Sequence, residues 1–350
     1  MDYPIVYDLR VKKSLIDDVK EVLFIEKDAN ICFSPHLMIL ALTSIQLTNQ
    51  YIRFKNYKEF INIFHTLSKR REIMNIASKL KNVKINLLNR MYMPTHVDIN
   101  ERFVKKLQMI GLNNFIVEMD YSPEKTILQI NKWISTETGD HNSNFLKKNS
   151  ILHTTQVVSF HLFNFQHIFT DTIEFSRDIF HPYDQRLYGV DYFSTVSKVQ
   201  YLRYFDSDLV RIRLENNIYM MILLPHVFVK DYQLDIKNLR YFKKYFRSET
   251  IQIVLPVIDL IYSLPIQEII RKNLTESMHF WATPINKLNE NEETLHLSNF
   301  TISSKFSISA KLTQKKTKFT HLRKMVVNRP FFIVIYYQDD PLLISYINKP

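Results

Sequence analysis

Apolar and polar positions fall into two regimes along the chain. The first 150 residues read mainly as helices. In NICFSPHLMILALTSIQL, a short apolar strand is followed by Ser34 as an N-cap and Pro35 at the first helical position. The helix that follows is apolar on nearly every side and so belongs inside a core. DINERFVKKLQMIG places Asp98 as a cap and Glu101 three residues later, with Phe103, Leu107 and Ile110 on one stripe and Gly111 as the stop. FIVEMDY reads as a strand, and SPEKTILQINKWISTETG as a helix from Ser122 and Pro123 to Gly139, striped by Ile127, Ile130 and Ile134. Beyond residue 150 strands take over. TTQVVSFHLFNF is a long, largely apolar run suited to the interior of a large sheet. LVRIRL–ENN–IYMMILLP is a hairpin in which asparagine supplies the turn. ETIQIVLPVIDLI and TLHLSNFTISSKFSI are further strands, and NRPFFIVIYY–QDDP–LLISYINKP closes the chain as a second hairpin. Helices first and long strands afterwards, without βαβ alternation, give an α+β class. No linker or repeat interrupts the chain, so residues 1–350 are expected to form a single domain.

Composition narrows the chemistry. Gly111, Gly139 and Gly189 are the only glycines, which excludes a P-loop, a dinucleotide-binding glycine fingerprint and a nucleophile elbow. Cys32 is the only cysteine, so neither an intramolecular disulfide nor a multi-cysteine zinc site can form. It precedes an apolar helix and reads as a small buried hydrophobe rather than a nucleophile. None of the 12 histidines forms the i, i+4 pair of a zinc helix. His161 and His167 share one predicted strand and read as hydrogen-bonded structural residues rather than ligands. No enzymatic constellation and no cofactor or metal is expected. The run Ile251 to Ile266 contains two prolines and an aspartate and is too broken to span a bilayer. The N-terminus MDYPIVYDLRVKKSLIDDVKEV has no secretory signal pattern, so a cytoplasmic protein is expected.

In order, these segments resemble the serpin (serine protease inhibitor) family over nearly the whole chain. FSPHLMILALTSI is similar to that family's FSP strand and helix B. INERFVKKLQMI with FIVEMDY resembles its helix E and the first strand of the central sheet. INKWISTETGDHNSNFL matches INxWVxxxTxGxIxxLL, YMMILLP matches xMxIxLP, and IQIVLPVIDLIYSLPIQEII matches LPKFxIxxxxxLxxxL. LHLSNFTISSKFSI stands where the strand before the reactive-centre loop belongs, and NRPFFIVI with Pro350 matches the closing HPFxFxI hairpin. The resemblance implies a serpin fold of three β-sheets and about nine helices. With the scarcity of glycine, it points to a poxvirus-like source, a viral protein acting in the host cell cytoplasm.

An inhibitory serpin works as a spring, in which the cleaved loop enters the central sheet as a new strand. The hinge this requires resembles EEGTEAAAAT, whereas this chain reads ISAKLTQKKTKFT, without the acids, the glycine or the alanine run. The loop is shorter than the family's by under about ten residues; at about 3.3 Å per residue the lost travel is tens of ångströms. The family's shutter residues are also replaced. Leu37 stands for the second serine of FSPxSI, Ser159 for an asparagine, His167 for a tryptophan, and Ser304 for a histidine.

The leading expectation is therefore a serpin-fold protein that has lost loop insertion and binds a host or viral protein through its surface. Formal net charge is +11, which suits anionic partners. One basic region is the reactive-centre-like loop, with Lys311, Lys315, Lys316, Lys318, Arg323 and Lys324. The other is LSKRREIMNIASKLKNVK, with Lys69, Arg70, Arg71, Lys79, Lys81 and Lys84, near the family's helix D and suited to a glycosaminoglycan. A solvated face without a ligand is the competing reading. Nucleic acid fits less well, because aromatics are not interleaved with the charges. The alternative function is a working inhibitor of a serine or cysteine protease. Counting back from Asn328-Arg329-Pro330 places its scissile bond near Phe319–Thr320.

Overall fold

The computed structural model describes residues 29–48, 63–93, 101, 104, 105, 108, 116–119, 122–140, 145–148, 150, 151, 155, 157–184, 186–204, 206–226, 244–264, 282–283, 295–312 and 322–350. Strand β1 (Ile31–Phe33) leads into helix α1 (Pro35–Thr48), and the Ser34 hydroxyl accepts from the Leu37 amide at 3.3 Å as the N-cap pattern requires. Leu37, Met38, Leu40 and Ala41 are buried, so this end of the apolar helix lies in the core. Helix α2 (Ile63–Ala77) precedes β2 (Val83–Met93). Glu101, Val104, Lys105 and Gln108 are helical, within the helix read from DINERFVKKLQMIG. Strand β3 (Ile116–Glu118) is followed by α3 (Pro123–Thr138). The Ser122 hydroxyl caps α3, and Gly139 ends it at φ 70°, in the left-handed region that favours glycine.

The strands of the second regime are β4 (Val157–Phe180), β5 (Tyr188–Tyr204), β6 (Ser207–Arg213), β7 (Ile218–Pro225), β8 (Arg247–Pro256), β9 (Ile258–Leu264), β10 (Ala282–Thr283), β11 (Leu295–Leu312), β12 (Arg323–Val326), β13 (Phe331–Tyr337) and β14 (Asp340–Ile347). Both predicted hairpins are present. Asn216 and Asn217, at φ 42° and 63°, turn β6 into β7, and Gln338 at φ 53° serves β13–β14.

Three sheets emerge, joined because two strands are too long for one sheet. The first runs β3-β2-β4-β11-β9, with β4 and β11 parallel neighbours at its centre. The far half of β4 pairs with β5, which pairs with β8, which pairs with β12. The end of β5 then enters the third, β5-β6-β7-β13-β14-β1. Alternation along β4 explains the layering. Val158, Phe160 and Leu162 pack under α3 with Ile127, Ile130 and Ile134. Phe163, Phe165 and Phe169 face the main core, where Phe165 meets Phe306 of β11 with ring centroids 5.9 Å apart.

Three helices longer than a turn or two lie among the described residues, and the rest of the nine expected would fall outside them. Two expectations need correction. β11 continues past Ile308 to Leu312, so Lys311 belongs to a strand rather than to the connection. Arg323 and Lys324 likewise sit in a strand, β12, because its backbone pairs in parallel with Ile251–Val254 of β8 and Met325 drops into the core.

Candidate functional site

The candidate site is the connection between β11 and β12 together with the seam between β4 and β11, beside which that connection starts. Lys311 is exposed at the end of β11, one residue before the strand's last register pair, Leu312 with Thr172. Lys315, Lys316, Lys318, Phe319 and Thr320 lie outside the described residues. On the far side, Arg323 is held by two contacts. Its guanidinium donates to Glu249 at 3.1 Å and lies over the Tyr201 ring at 4.5 Å. Lys324 is exposed opposite Gln252. Both legs of the connection therefore begin in paired strands.

The second basic region divides. Arg71, Lys79 and Lys81 are exposed, Arg70 is half-buried, and the Lys69 side chain lies outside the described residues. Glu215 reaches the turn after α2, where it accepts from the Lys81 and Asn82 amides at 2.7 and 3.0 Å, and so places an anion inside the patch. Lys84 is committed elsewhere. Its Nζ donates to the Thr138 carbonyl, one of the acceptors left open at the C-terminus of α3. Asn86 does the same for Glu137 at 3.3 Å. Lys84 thus anchors α3 to β2 as well as adding positive charge.

Sequence reasoning named Ser159, His161 and His167 but missed the partners that join polar residues along the seam. On the core face, Ser159 Oγ lies 2.9 Å from His161 Nε2, and His161 Nδ1 lies 2.8 Å from Asn89 Oδ1 of β2. Ser159 and His161 are wholly buried, so this chain of hydrogen bonds is sealed from substrate and serves the sheet. Burial holds the His161 pKa down to about 3, so the ring is neutral. His167 is pushed down to about 4 by burial, opposed by its bond to the Asn82 carbonyl and by Glu215. Both histidines are therefore structural, as their strand position suggested. Cys32 is buried beside Ser345, and desolvation pushes its thiol up to about 12, far from a nucleophile's range. On the α3 face, Asn164 donates to Asn86 at 2.9 Å. Beside it in register, Lys305 of β11 is only 3% exposed. It forms an ion pair with Asp140, and Asp259 of β9 lies 3.7 Å away. Burial lowers the Lys305 pKa from its ordinary value, so its ammonium relies on these carboxylates.

Leu37 and Ser304 are buried, and His161 and Asn89 build a polar chain onto Ser159 from within β4 and β2. No group of three metal-binding side chains occurs among the described residues. No helix among them is long and apolar enough to cross a membrane.

Comparison with known proteins places this geometry. The family model described as Serpin (serine protease inhibitor) matches residues 16–350. The fold is similar to native protease nexin-1 crystallised with heparin, at 19% identity and TM-score 0.79 over 97% of this chain and 98% of that one. It is similar to uncleaved ovalbumin at 13% identity and TM-score 0.80, over 97% and 99%. It also matches a serine protease inhibitor, serpin-12, of Manduca sexta at 14% identity and TM-score 0.74, over 97% and 98%. A search of curated protein sequences returned no match.

Proposed function

This chain belongs to the serpin family, and from that premise we propose that it keeps the serpin fold but not the spring, acting instead by surface binding to a host or viral protein. One observation carries the proposal, the mismatch between the seam and the loop that would fill it. β11 is 18 residues long and pairs with β4 from Leu297 to Leu312 without a vacant strand position. A strand of that length spans about 60 Å, whereas cleavage at Phe319–Thr320 would free residues 313–319 to enter it, about 23 Å of chain. The inserted piece would stop short of halfway, and a protease attached to it would not reach the opposite pole.

Chemistry supports the same reading. Successive residues of an inserted strand point to opposite faces. Taking one parity inward buries Lys315, and taking the other buries Lys316 and Lys318. An ammonium buried without a partner costs several kcal/mol. For the binding surface, Arg71, Lys79 and Lys81 present exposed positive charge, and Lys311 and Lys324 flank the connection. The similarity to a protease nexin-1 crystallised with heparin supports a glycosaminoglycan-like polyanion as one ligand of the first group. We assign Lys84 a lesser share of that binding because its ammonium holds α3.

The second reading, a working protease inhibitor using Phe319, is favoured by the intact placement of both loop legs on β11 and β12. Incubation with chymotrypsin-like and trypsin-like proteases separates the two. We expect cleavage between β11 and β12 with no complex that survives SDS, and a melting temperature within a few degrees of the uncut protein. An SDS-stable complex, or a large rise in melting temperature after cleavage, overturns the proposal. Proteins co-purifying with the full chain but not with one lacking residues 311–324 would identify partners of the loop. A polyanion complex should weaken as salt rises from low to physiological ionic strength.

A further inference from the structure

We propose that Asp140 and Lys305 form a latch across the β4–β11 seam that holds the central sheet closed. The two sides of the seam are tied internally by different residues. On one side, Asn164 of β4 bonds Asn86 of β2, and Lys84 and Asn86 of β2 hold the last carbonyls of α3. The left-handed turn at Gly139 stops α3 there, and the Asp140 amide returns to the Thr138 hydroxyl at 3.3 Å. Asp140 is therefore fixed to the β2–β4 side. Lys305 belongs to the other side, where β11 pairs with β9 and Asp259 stands 3.7 Å from its Nζ. The Asp140–Lys305 ion pair joins the two.

The placement suits a latch. Lys305 pairs in register with Asn164 across the seam and with Ile261 on the far side, so it sits midway along β11. It faces the α3 side of the sheet, opposite the core face on which Phe165 and Phe306 meet. The seam is thus closed by an aromatic contact on one face and an ion pair on the other. Parting β4 from β11 would separate Lys305 from Asp140 while Asp259, on the same side as Lys305, stayed near. The latch rests on these contacts and is independent of whether the loop traps a protease.

Hydrogen exchange on the full-length protein tests it. The variants are Asp140→Asn, Lys305→Met, Asp259→Asn and the charge-reversed double variant Asp140→Lys with Lys305→Asp. In Asp140→Asn and Lys305→Met, amides of residues 163–169 and 303–307 should exchange at least about fivefold faster, the effect of losing one coupled pair. Amides of the β13–β14 hairpin should be unchanged. Asp259→Asn should leave the seam near the wild-type rate, and the charge-reversed variant should return it toward that rate. Equal acceleration of seam and hairpin would mean general destabilisation and overturn the latch. So would an unchanged seam in both single variants, or a charge-reversed variant no slower than they are. If Asp140→Asn does not fold, the comparison of Lys305→Met with the charge-reversed variant carries the same decision.

Discussion

Replacing His161 with glutamine should remove a defined part of the protein's acid sensitivity. In the folded chain His161 is wholly buried, and burial holds its pKa near 3; in the unfolded chain it returns to the ordinary value of 6.5. Between those values the unfolded state binds a proton that the folded state refuses, so stability rises with pH across this window. The contribution is whole above pH 6.5, declines as pH falls below it, and is fully lost near pH 3. At pH 5 the unfolded imidazole is almost wholly protonated while the folded one is neutral, a penalty of about 2 kcal/mol relative to pH 7. Urea unfolding of wild type and His161→Gln at pH 7 and pH 5 gives the double difference. The variant will be less stable at both, because Ser159 and Asn89 lose a bond to the ring, but its loss between the two pH values should be smaller by about 2 kcal/mol. An equal pH-dependent loss in both proteins would show that the ring accepts a proton without unfolding, and would refute the sealed, neutral network.

Two further predictions concern the core. Phe306 is wholly buried against Phe165, so Phe306→Ala should cost about 3–5 kcal/mol in chemical denaturation, far more than truncating the exposed Leu312. The Cys32 thiol, raised to about 12, should react with a thiol reagent at pH 8 only after denaturant is added; prompt labelling of the native chain would contradict its burial.

Much of the fold was legible because its signals are local. The α3 stripe of Ile127, Ile130 and Ile134 and its caps at Ser122 and Gly139 occupy one short window, and so does the asparagine turn between β6 and β7. What escaped has mixed or weak periodicity. β2 does alternate Val83, Ile85 and Leu87 with Lys84 and Asn86, but the neighbouring lysines and arginines made the segment read as a basic surface. β5 carries Ser194 and Thr195 inside, so its apolar alternation breaks off. β12 buries Met325 among exposed Arg323 and Lys324, and a single apolar residue has no period; its strand state comes from pairing with β8.

The site residues escaped for a different reason. A hinge is written along one stretch of sequence, so its departure from the family pattern can be read there. The polar ties of the closed sheet are written across elements. Asn89 and His161 belong to separate strands, and Asp140 and Lys305 to a helix end and a strand remote in sequence. The sequence comparison at Ser159, His167 and Ser304 concerns single positions, whereas the polar contacts of the seam join separate strands. In the closed sheet Ser159 meets His161, two residues away on the same strand face, and His161 meets Asn89 Oδ1, while Asn89 Nδ2 is buried without a hydrogen-bond partner among the described residues. In this chain the loop's capacity for insertion and the sheet's means of staying closed are separate physical properties, and a changed hinge says nothing by itself about the second.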